Sequence, residues 1–459
     1  MDIGSFHRVY FLGIGGIGMS ALARYFNAQG VAVGGYDLTA TELTRQLESM
    51  GMEIHYDDNP NLIPQAFREL EKTLVVLTPA VPENHLEWKF FKDKGFTILK
   101  RAQVLGQIFN SQTGIAIAGT HGKTSVTTFT SFLLNETGIG CNAFLGGISK
   151  NFNSNLVLNK SEYVVAEADE FDRSFLQLFP QFLLITTIDA DHLDIYSGLE
   201  EIQHTFQLLV NQVRQGGTVV LNNKVKLKVP EGLSYFTYSL DDASSDFYAS
   251  NIRKEKGAYC FTLNTPFFRV QNLQLEVPGK TNIENAIAAM AVSCVLGATP
   301  DKLIGALPRM RGVVRRFDVQ YQSEKVVYID DYAHHPRELD AVISSLRDWF
   351  PGKKITAVFQ PHLFSRTRDF AAEFAESLSK VDELILMDIY PAREKPIPGV
   401  TSDIIFNRVN LEARHRCSKI NLLSTLKELN IEVLLTAGAG DIDQFIIEIA
   451  HYLAENEKV

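Results

Sequence analysis

The sequence predicts an α/β protein built from parallel sheets with helices on their faces. Three observations carry that reading. Strand-like and helix-like runs alternate through most of the chain, two glycine-rich loops each follow a β-rich run and open a helical pattern, and acidic clusters end two further strand-like runs. At roughly 150 residues per domain, 459 residues suggest about three domains.

In the first hundred residues, Arg8–Leu12 reads as a strand ending in glycines. A helical pattern follows over 19–29, then strands over 31–36 and 73–78 (TLVVLT). A second series has strands at 115–118, 163–166, 182–188 and 218–221, with a helix over 123–134. Residues 235–277 alternate, carry turn residues and read as an antiparallel insert; a helix over 283–296 follows. The third series begins near Arg316, with strands at 326–329, Ile355–Phe359, Glu383–Met387 and 432–435 and helical stretches between them. The parts meet near residues 107 and 315.

Composition is that of a globular protein, 45% hydrophobic and 21% charged. A net charge of -10 argues against a nucleic-acid surface. Cys141, Cys260, Cys294 and Cys417 form no close pair, so neither a zinc knuckle nor a disulfide framework is expected, and scattered cysteines fit a reducing compartment. The start MDIGSFHRVYFLGIGG has no basic leader, and the longest apolar stretch, 285–298, is too short to span a bilayer. A cytoplasmic protein with no membrane segment is expected, that stretch being a buried helix.

Gly13-Ile14-Gly15-Gly16-Ile17-Gly18 sits between a strand and a helix. Glycines let the backbone turn tightly and approach a pyrophosphate, which the helix N-terminus attracts. Asp37 ends the next strand at about the spacing of a ribose-binding acid. A dinucleotide and a nucleotide-sugar diphosphate satisfy this pattern equally.

Gly119-Thr120-His121-Gly122-Lys123-Thr124 repeats the arrangement with a cation in it. Backbone N–H groups wrap phosphates in such loops, a lysine neutralises the β/γ oxygens, and a threonine hydroxyl ligates Mg²⁺. Ile117 stands where a full P-loop has glycine, so this is a shorter variant. Glu167-Ala168-Asp169-Glu170 and Asp189-Ala190-Asp191-His192 end the next two strand runs. In parallel sheets ligands gather at the carboxyl ends of strands, so Glu167 and His192 are expected beside Thr124. Carboxylate oxygens suit Mg²⁺; an imidazole is a less usual ligand for so hard an ion.

These residues resemble the Mur ligases of peptidoglycan synthesis nearly end to end. The matching stretches are GIGGIGMS (13–20), AGTHGKT (118–124), EADEFDRSF (167–175), DADHLD (189–194), GKTNIENAIAA (279–289), RRF (315–317), DDYAHHPRE (330–338), FQPHLFSRT (359–367), YPAREKPIPG (390–399) and GAGDI (438–442). GIGGIGM with DDYAHHP points to the alanine-adding branch, whereas AGTHGKT alone marks the wider superfamily. Other branches carry a carbamylated lysine soon after the Asp-His motif, and residues 193–223 contain no lysine.

The resemblance implies three domains. Residues 1–107 form a Rossmann-like domain for the UDP-sugar, 108–315 a P-loop ATPase-like central domain with a mixed sheet for ATP and Mg²⁺, and 316–459 a Rossmann-like domain completing the ATP and amino-acid sites. It implies that Gly15, Gly16, Ile17, Gly18, Asp37 and Arg101 hold the sugar nucleotide. Gly119, Thr120, His121, Gly122, Lys123, Thr124, Asn282, Asn285, Arg316 and Asp331 would hold ATP, and Thr124, Glu167 and His192 the metal. Tyr332, His334, His362 and Arg366 would surround L-alanine, with Lys123, His334, His362 and Arg366 closest to the chemistry. Leu363 departs from a common arginine, Ala333 from a glycine in DDYGHHP, and Arg393 from a glycine in YPAGE.

The implied reaction joins L-alanine to the lactyl carboxylate of UDP-N-acetylmuramate through an acyl phosphate; the alternative within the family is a recycling ligase that adds a preformed tripeptide. A monomer or weak homodimer is expected, binding neither nucleic acid nor membrane. A nicotinamide-dependent dehydrogenase, read from GxGxxG alone, leaves AGTHGKT and the strand-end acids unexplained. A non-catalytic nucleotide-binding regulator is disfavoured by the intact Lys123, Glu167 and His192.

Overall fold

A computed structural model describes residues 3–190, 195–255, 257–392 and 394–456. The chain divides into two compact units, one of residues 1–276 and 284–311, the other of 277–283 and 312–459.

The first unit opens with a five-stranded, all-parallel sheet: β1 Arg8–Leu12, β2 Ala32–Tyr36, β3 Glu53–His55, β4 Thr73–Leu77 and β5 Thr97–Lys100, in the order β3-β2-β1-β4-β5. β1 and β4 are apolar on both faces because helices cover both. Tyr10, Phe67 and Phe91 fill one side; Val9, Phe11 and Val76 fill the other.

The helix Arg101–Asn110 leads into a seven-stranded sheet of β6 Thr113–Ala118, β7 Asn142–Ser149, β8 Ser154–Val157, β9 Tyr163–Ala168, β10 Phe182–Ile185, β11 Thr218–Asn222 and β12 Ser234–Tyr238. Its order is β12-β11-β10-β6-β9-β7-β8, parallel except for β8. The helix Ile17–Ala28 packs on β7 and β8, where Asn155 Nδ2 donates to Ile17 O at 2.6 Å and to Ser20 Oγ at 2.8 Å.

Two strand expectations need correction. The run 182–188 stops being strand at Ile185, because Thr186 and Thr187 turn to bond the loop after β6. Ser234–Tyr238 is no part of an antiparallel insert; it pairs in parallel with β11 as the sheet's edge. The insert proper is a three-stranded antiparallel sheet, β13 Tyr248–Glu255, β14 Ala258–Asn264 and β15 Arg269–Leu275. The apolar stretch from 285 lies in the buried helix Lys280–Val295, and among the described residues no helix is long and apolar enough to cross a membrane.

The second unit contains a six-stranded sheet of β16 Asp318–Gln322, β17 Val327–Asp331, β18 Ile355–Phe359, β19 Glu383–Met387, β20 Arg414–Cys417 and β21 Val433–Ala437. The order is β16-β17-β21-β18-β19-β20, with β16 antiparallel at the edge. β17, β18, β19 and β21 are buried along their whole length. Each large sheet is therefore the wound α/β type, with ligand-binding crevices expected at strand carboxyl ends.

Candidate active site

β6 lies between β10 and β9, and the loop at its carboxyl end runs into the helix Lys123–Glu136. Gly119 (φ +130°) must be glycine, since a Cβ would lie 2.0 Å from Thr186 Oγ1. Gly122 (φ +82°) caps the helix. The segment after β10 staples the loop: Thr120 N–H donates to Thr187 O (2.9 Å), His121 N–H to Thr187 Oγ1 (2.9 Å), and Thr186 Oγ1 to His121 O (2.5 Å). His121 Nε2 lies 3.3 Å from Asp189 Oδ2. The first N–H groups of the helix have no partner within it, which makes its start an anion site.

Two acids at the tip of β9 face this loop. Thr124 Oγ1 donates to Glu167 (3.0 Å to Oε2), and Lys123 Nζ contacts Glu170 Oε2 at 2.7 Å and Thr120 O at 3.3 Å. Burial alone would push the Lys123 ammonium down, but the carboxylates of Glu170, Asp169 and Glu167 outweigh it and hold the amine charged, above the usual lysine range. Gly146 on β7 makes room for Glu167, whose Oε2 would lie 1.8 Å from a Cβ there. Asn285 closes the loop from another side, its Oδ1 3.0 Å from where a Gly122 Cβ would sit. His192 and its neighbours 191–194 lie outside the described residues.

At the first glycine loop, Gly13 (φ +87°) N–H and Ile14 N–H donate to Tyr36 O, and Gly15 N–H donates to Asp37 Oδ2 at 2.7 Å. Asp37 Oδ1 accepts from Thr39 N–H at 3.3 Å, so this carboxylate braces the loop itself. Gly16 caps the helix that Ile17 and Gly18 begin. The Arg101 guanidinium lies against Gly18 (2.9 Å from a Cβ built there), and Arg101 lines a small cleft with Glu167, Asp169 and Ser174 at the tip of β9.

In the second unit the expected residues gather at the ends of β17 and β18. Asp331 accepts from Phe317 N–H (2.7 Å) and Ala333 N–H (2.8 Å); burial raises its carboxyl to about 6 against the pull of Arg316. The Tyr332 ring lies under two guanidiniums, Arg315 at 5.2 Å and Arg316 at 5.3 Å. His334 Nδ1 sits 2.9 Å from Tyr332 O, and its backbone N–H donates to Glu338 Oε2 at 3.0 Å. Burial lowers the His334 pKa more than Glu338 raises it, and Arg366 lowers it further. The imidazole is thus neutral near pH 7. The His362 ring is 5.9 Å from His334 and stacks on Tyr390, also at 5.9 Å. Leu363, at φ +69°, opens the short helix Phe364–Asp369 that carries Arg366. Asn282 Nδ2 donates to Pro278 O at 2.6 Å.

The structure brings together Lys123, Thr124 and Glu167 as expected, and Tyr332, His334, His362 and Arg366 within their own unit. Sequence reading gave no role to Glu170, Glu338, Gly146, Thr186 or Thr187. Glu170 stands three residues beyond Glu167 at the same strand tip, and Glu338 lies one helical turn from His334; those spacings were the available signal.

Three family models match the chain in succession: the Mur ligase family catalytic domain over residues 8–113, the Mur ligase middle domain over 117–293, and the Mur ligase glutamate ligase domain over 315–442. The UDP-N-acetylmuramate–L-alanine ligase of Phocaeicola vulgatus is 48% identical over 458 residues, 99% of each chain. The crystal structure of the UDP-N-acetylmuramate-alanine ligase from Thermotoga maritima superposes with a TM-score of 0.80 at 25% identity, covering 98% of this chain and 99% of that one. A murein peptide ligase from Psychrobacter arcticus gives 0.71 at 20% identity over 97% and 98%. With family models covering each series of strands and a relative at this identity along almost its whole length, the chain belongs to the Mur ligase family.

Proposed function

We infer that this chain is an ATP-dependent ligase that joins L-alanine to the lactyl carboxylate of UDP-N-acetylmuramate through an acyl phosphate, in the synthesis of peptidoglycan precursors. The observation that carries this reading is the charged Lys123 beside Thr124 and Glu167 at a helix N-terminus. The 48% identity to an alanine-adding ligase along the full chain supports the choice of substrates.

A carboxylate does not acylate an amine at neutral pH because oxide is a poor leaving group. Triphosphate supplies the phosphoryl group that converts it to a good one. Lys123 and the first N–H groups of its helix hold the phosphate oxygens and disperse the charge of transfer. The Thr124 hydroxyl and the Glu167 carboxylate, 3.0 Å apart, are hard oxygen donors that fit Mg²⁺. Gly119, Thr120, His121 and Gly122 shape the loop, and Asn282, Asn285, Arg316 and Asp331 complete nucleotide binding. Gly15 to Gly18 with Asp37 and Arg101 serve the sugar nucleotide. Tyr332, His334, His362 and Arg366 receive the amino acid, and neutral His334 is suited to take the proton its ammonium must lose. In this reading residues 1–107, 108–315 and 316–459 are the sugar-nucleotide, ATP and amino-acid domains.

The test is ADP release with ATP, UDP-N-acetylmuramate, L-alanine and Mg²⁺ each omitted in turn. Release that requires all four supports the reading. Release with a tripeptide but not with L-alanine would replace it by the recycling activity, and release with neither acceptor would end it.

A further inference from the structure

The assignment of Lys123 to phosphate leaves Glu170 unexplained. This carboxylate is 2% exposed, and its Oε2 lies 2.7 Å from Lys123 Nζ. Its other oxygen, Oε1, is buried with no hydrogen-bond partner among the described residues. A buried carboxylate with one idle oxygen is costly to keep, and the bond its other oxygen makes is the one to Lys123.

The residue is also aimed. Its backbone carbonyl accepts from Tyr196 Oη (2.6 Å) and from Arg173 N–H (2.9 Å). Asp172 and Arg173 adopt φ of +52° and +53°, unusual for residues with side chains, and the Arg173 guanidinium lies 5.7 Å over the Tyr196 ring. A strained turn and a buried hydroxyl therefore point Glu170 at the lysine. Carboxylate and phosphate oxygens are the same kind of acceptor for an ammonium. Lys123 is thus already gripped, at salt-bridge distance, by a stand-in for the group it is proposed to bind.

We propose that Glu170 is a positioning residue that parks Lys123 in the nucleotide-free enzyme, and that a phosphate oxygen of the incoming nucleotide displaces it, an exchange reversed when ADP leaves. This rests on the reading of residues 119–124 as the ATP loop. Each binding event breaks one buried ion pair to form another, so the pair weakens nucleotide binding and speeds product release, while keeping the lysine charged and aligned between turnovers.

Glu170→Gln keeps the shape and removes the charge. Calorimetric titration with ADP and with ATP, with and without Mg²⁺, should show binding about fivefold tighter or more, the scale of a part-buried ion pair. ADP should dissociate more slowly, so that KM for ATP and kcat fall together; a purely structural residue would raise KM. Unchanged or weaker binding overturns the proposal, and weakening seen only with Mg²⁺ would make Glu170 a metal ligand instead. Should the variant fail to fold, crystal structures of the wild-type enzyme with and without ADP decide: Lys123 Nζ must leave Glu170, and a retained contact near 2.7 Å refutes the exchange. Wild-type protein that binds neither nucleotide sinks the ATP-loop reading and this proposal with it. Wild-type binding without tightening in Glu170→Gln sinks the exchange alone.

Discussion

The two glycine loops of the first unit solve the same backbone problem with opposite electrostatics. Both leave a central parallel strand through a glycine at positive φ, Gly13 or Gly119, and both run into a helix. The loop at 13–18 is braced by an anion, Asp37, which accepts the Gly15 N–H. The loop at 119–124 is braced by neutral threonine groups, Thr186 and Thr187, and carries its own cation, Lys123. At the first loop the nearby cation is Arg101, which comes from another helix and lies against Gly18. Glycine spacing thus dictates that a loop can approach a phosphate; the neighbours that brace and charge it decide what it does there.

The comparison breaks or sharpens under substitution. The largest effect is expected from Lys123→Ala, which removes the loop's own charge and should cost on the order of 100-fold or more in kcat, the scale of lost charge stabilisation in a transition state. Steady-state turnover checks it, and near-normal activity would erase the distinction between the loops. Next come the glycines. Gly119→Ala puts a Cβ on Thr186 Oγ1 at a backbone angle alanine resists, at a cost of about 1–3 kcal/mol, and should raise KM for ATP about tenfold. Gly15→Ala meets Thr44 Cγ2 at 2.7 Å and Asp37 Oδ2 at 2.9 Å, and should instead raise KM for the sugar nucleotide. Thermal melts separate folding losses from these KM changes, and a swap of the two substrate effects would mean the loops have been assigned backwards. The smallest effect is expected from Asp37→Asn, which keeps an acceptor for Gly15 N–H. Its cost should be about 1 kcal/mol, a few-fold in KM for the sugar nucleotide with ATP unaffected. An equal change in both KM values would show that Asp37 acts on the whole unit rather than on its loop.

Local spacing made much of this legible. Strand, glycines and helix lie within about a dozen residues in each loop, and the pattern is written in consecutive letters. What was not legible was set across strands. Glu170 meets Lys123 at a sequence separation of 47, and Thr187 meets His121 at a separation of 66, distances that periodicity does not report. The strand expectation at 182–188 overran because TTI is as β-prone as the FLLI before it; hydrogen bonding to the loop, not propensity, ended the strand. The same rule misplaced Ser234–Tyr238, whose alternation suits an antiparallel hairpin yet pairs in parallel at the edge of the central sheet. Asp37 was found by its spacing, but its bond to Gly15 belongs to the loop's conformation and needed coordinates.

The placement of β6 between β9 and β10 has a consequence for biosynthesis. Its strand IAIA leaves the ribosome at residue 118, but the partner on its other side is complete only at Ile185. At about 5–20 residues per second, that apolar strand waits roughly 3–13 s for its second neighbour. The first sheet imposes a similar wait, since β1 ends at Leu12 and its second neighbour β4 at Leu77, but that sheet is complete by Lys100, before β6 is made. The nascent chain therefore passes through a stage with one finished sheet and one unsatisfied hydrophobic ribbon, the interval in which trigger-type chaperones or aggregation compete for it, and silent codon changes between 118 and 185 would alter yield without altering a single contact in the finished enzyme.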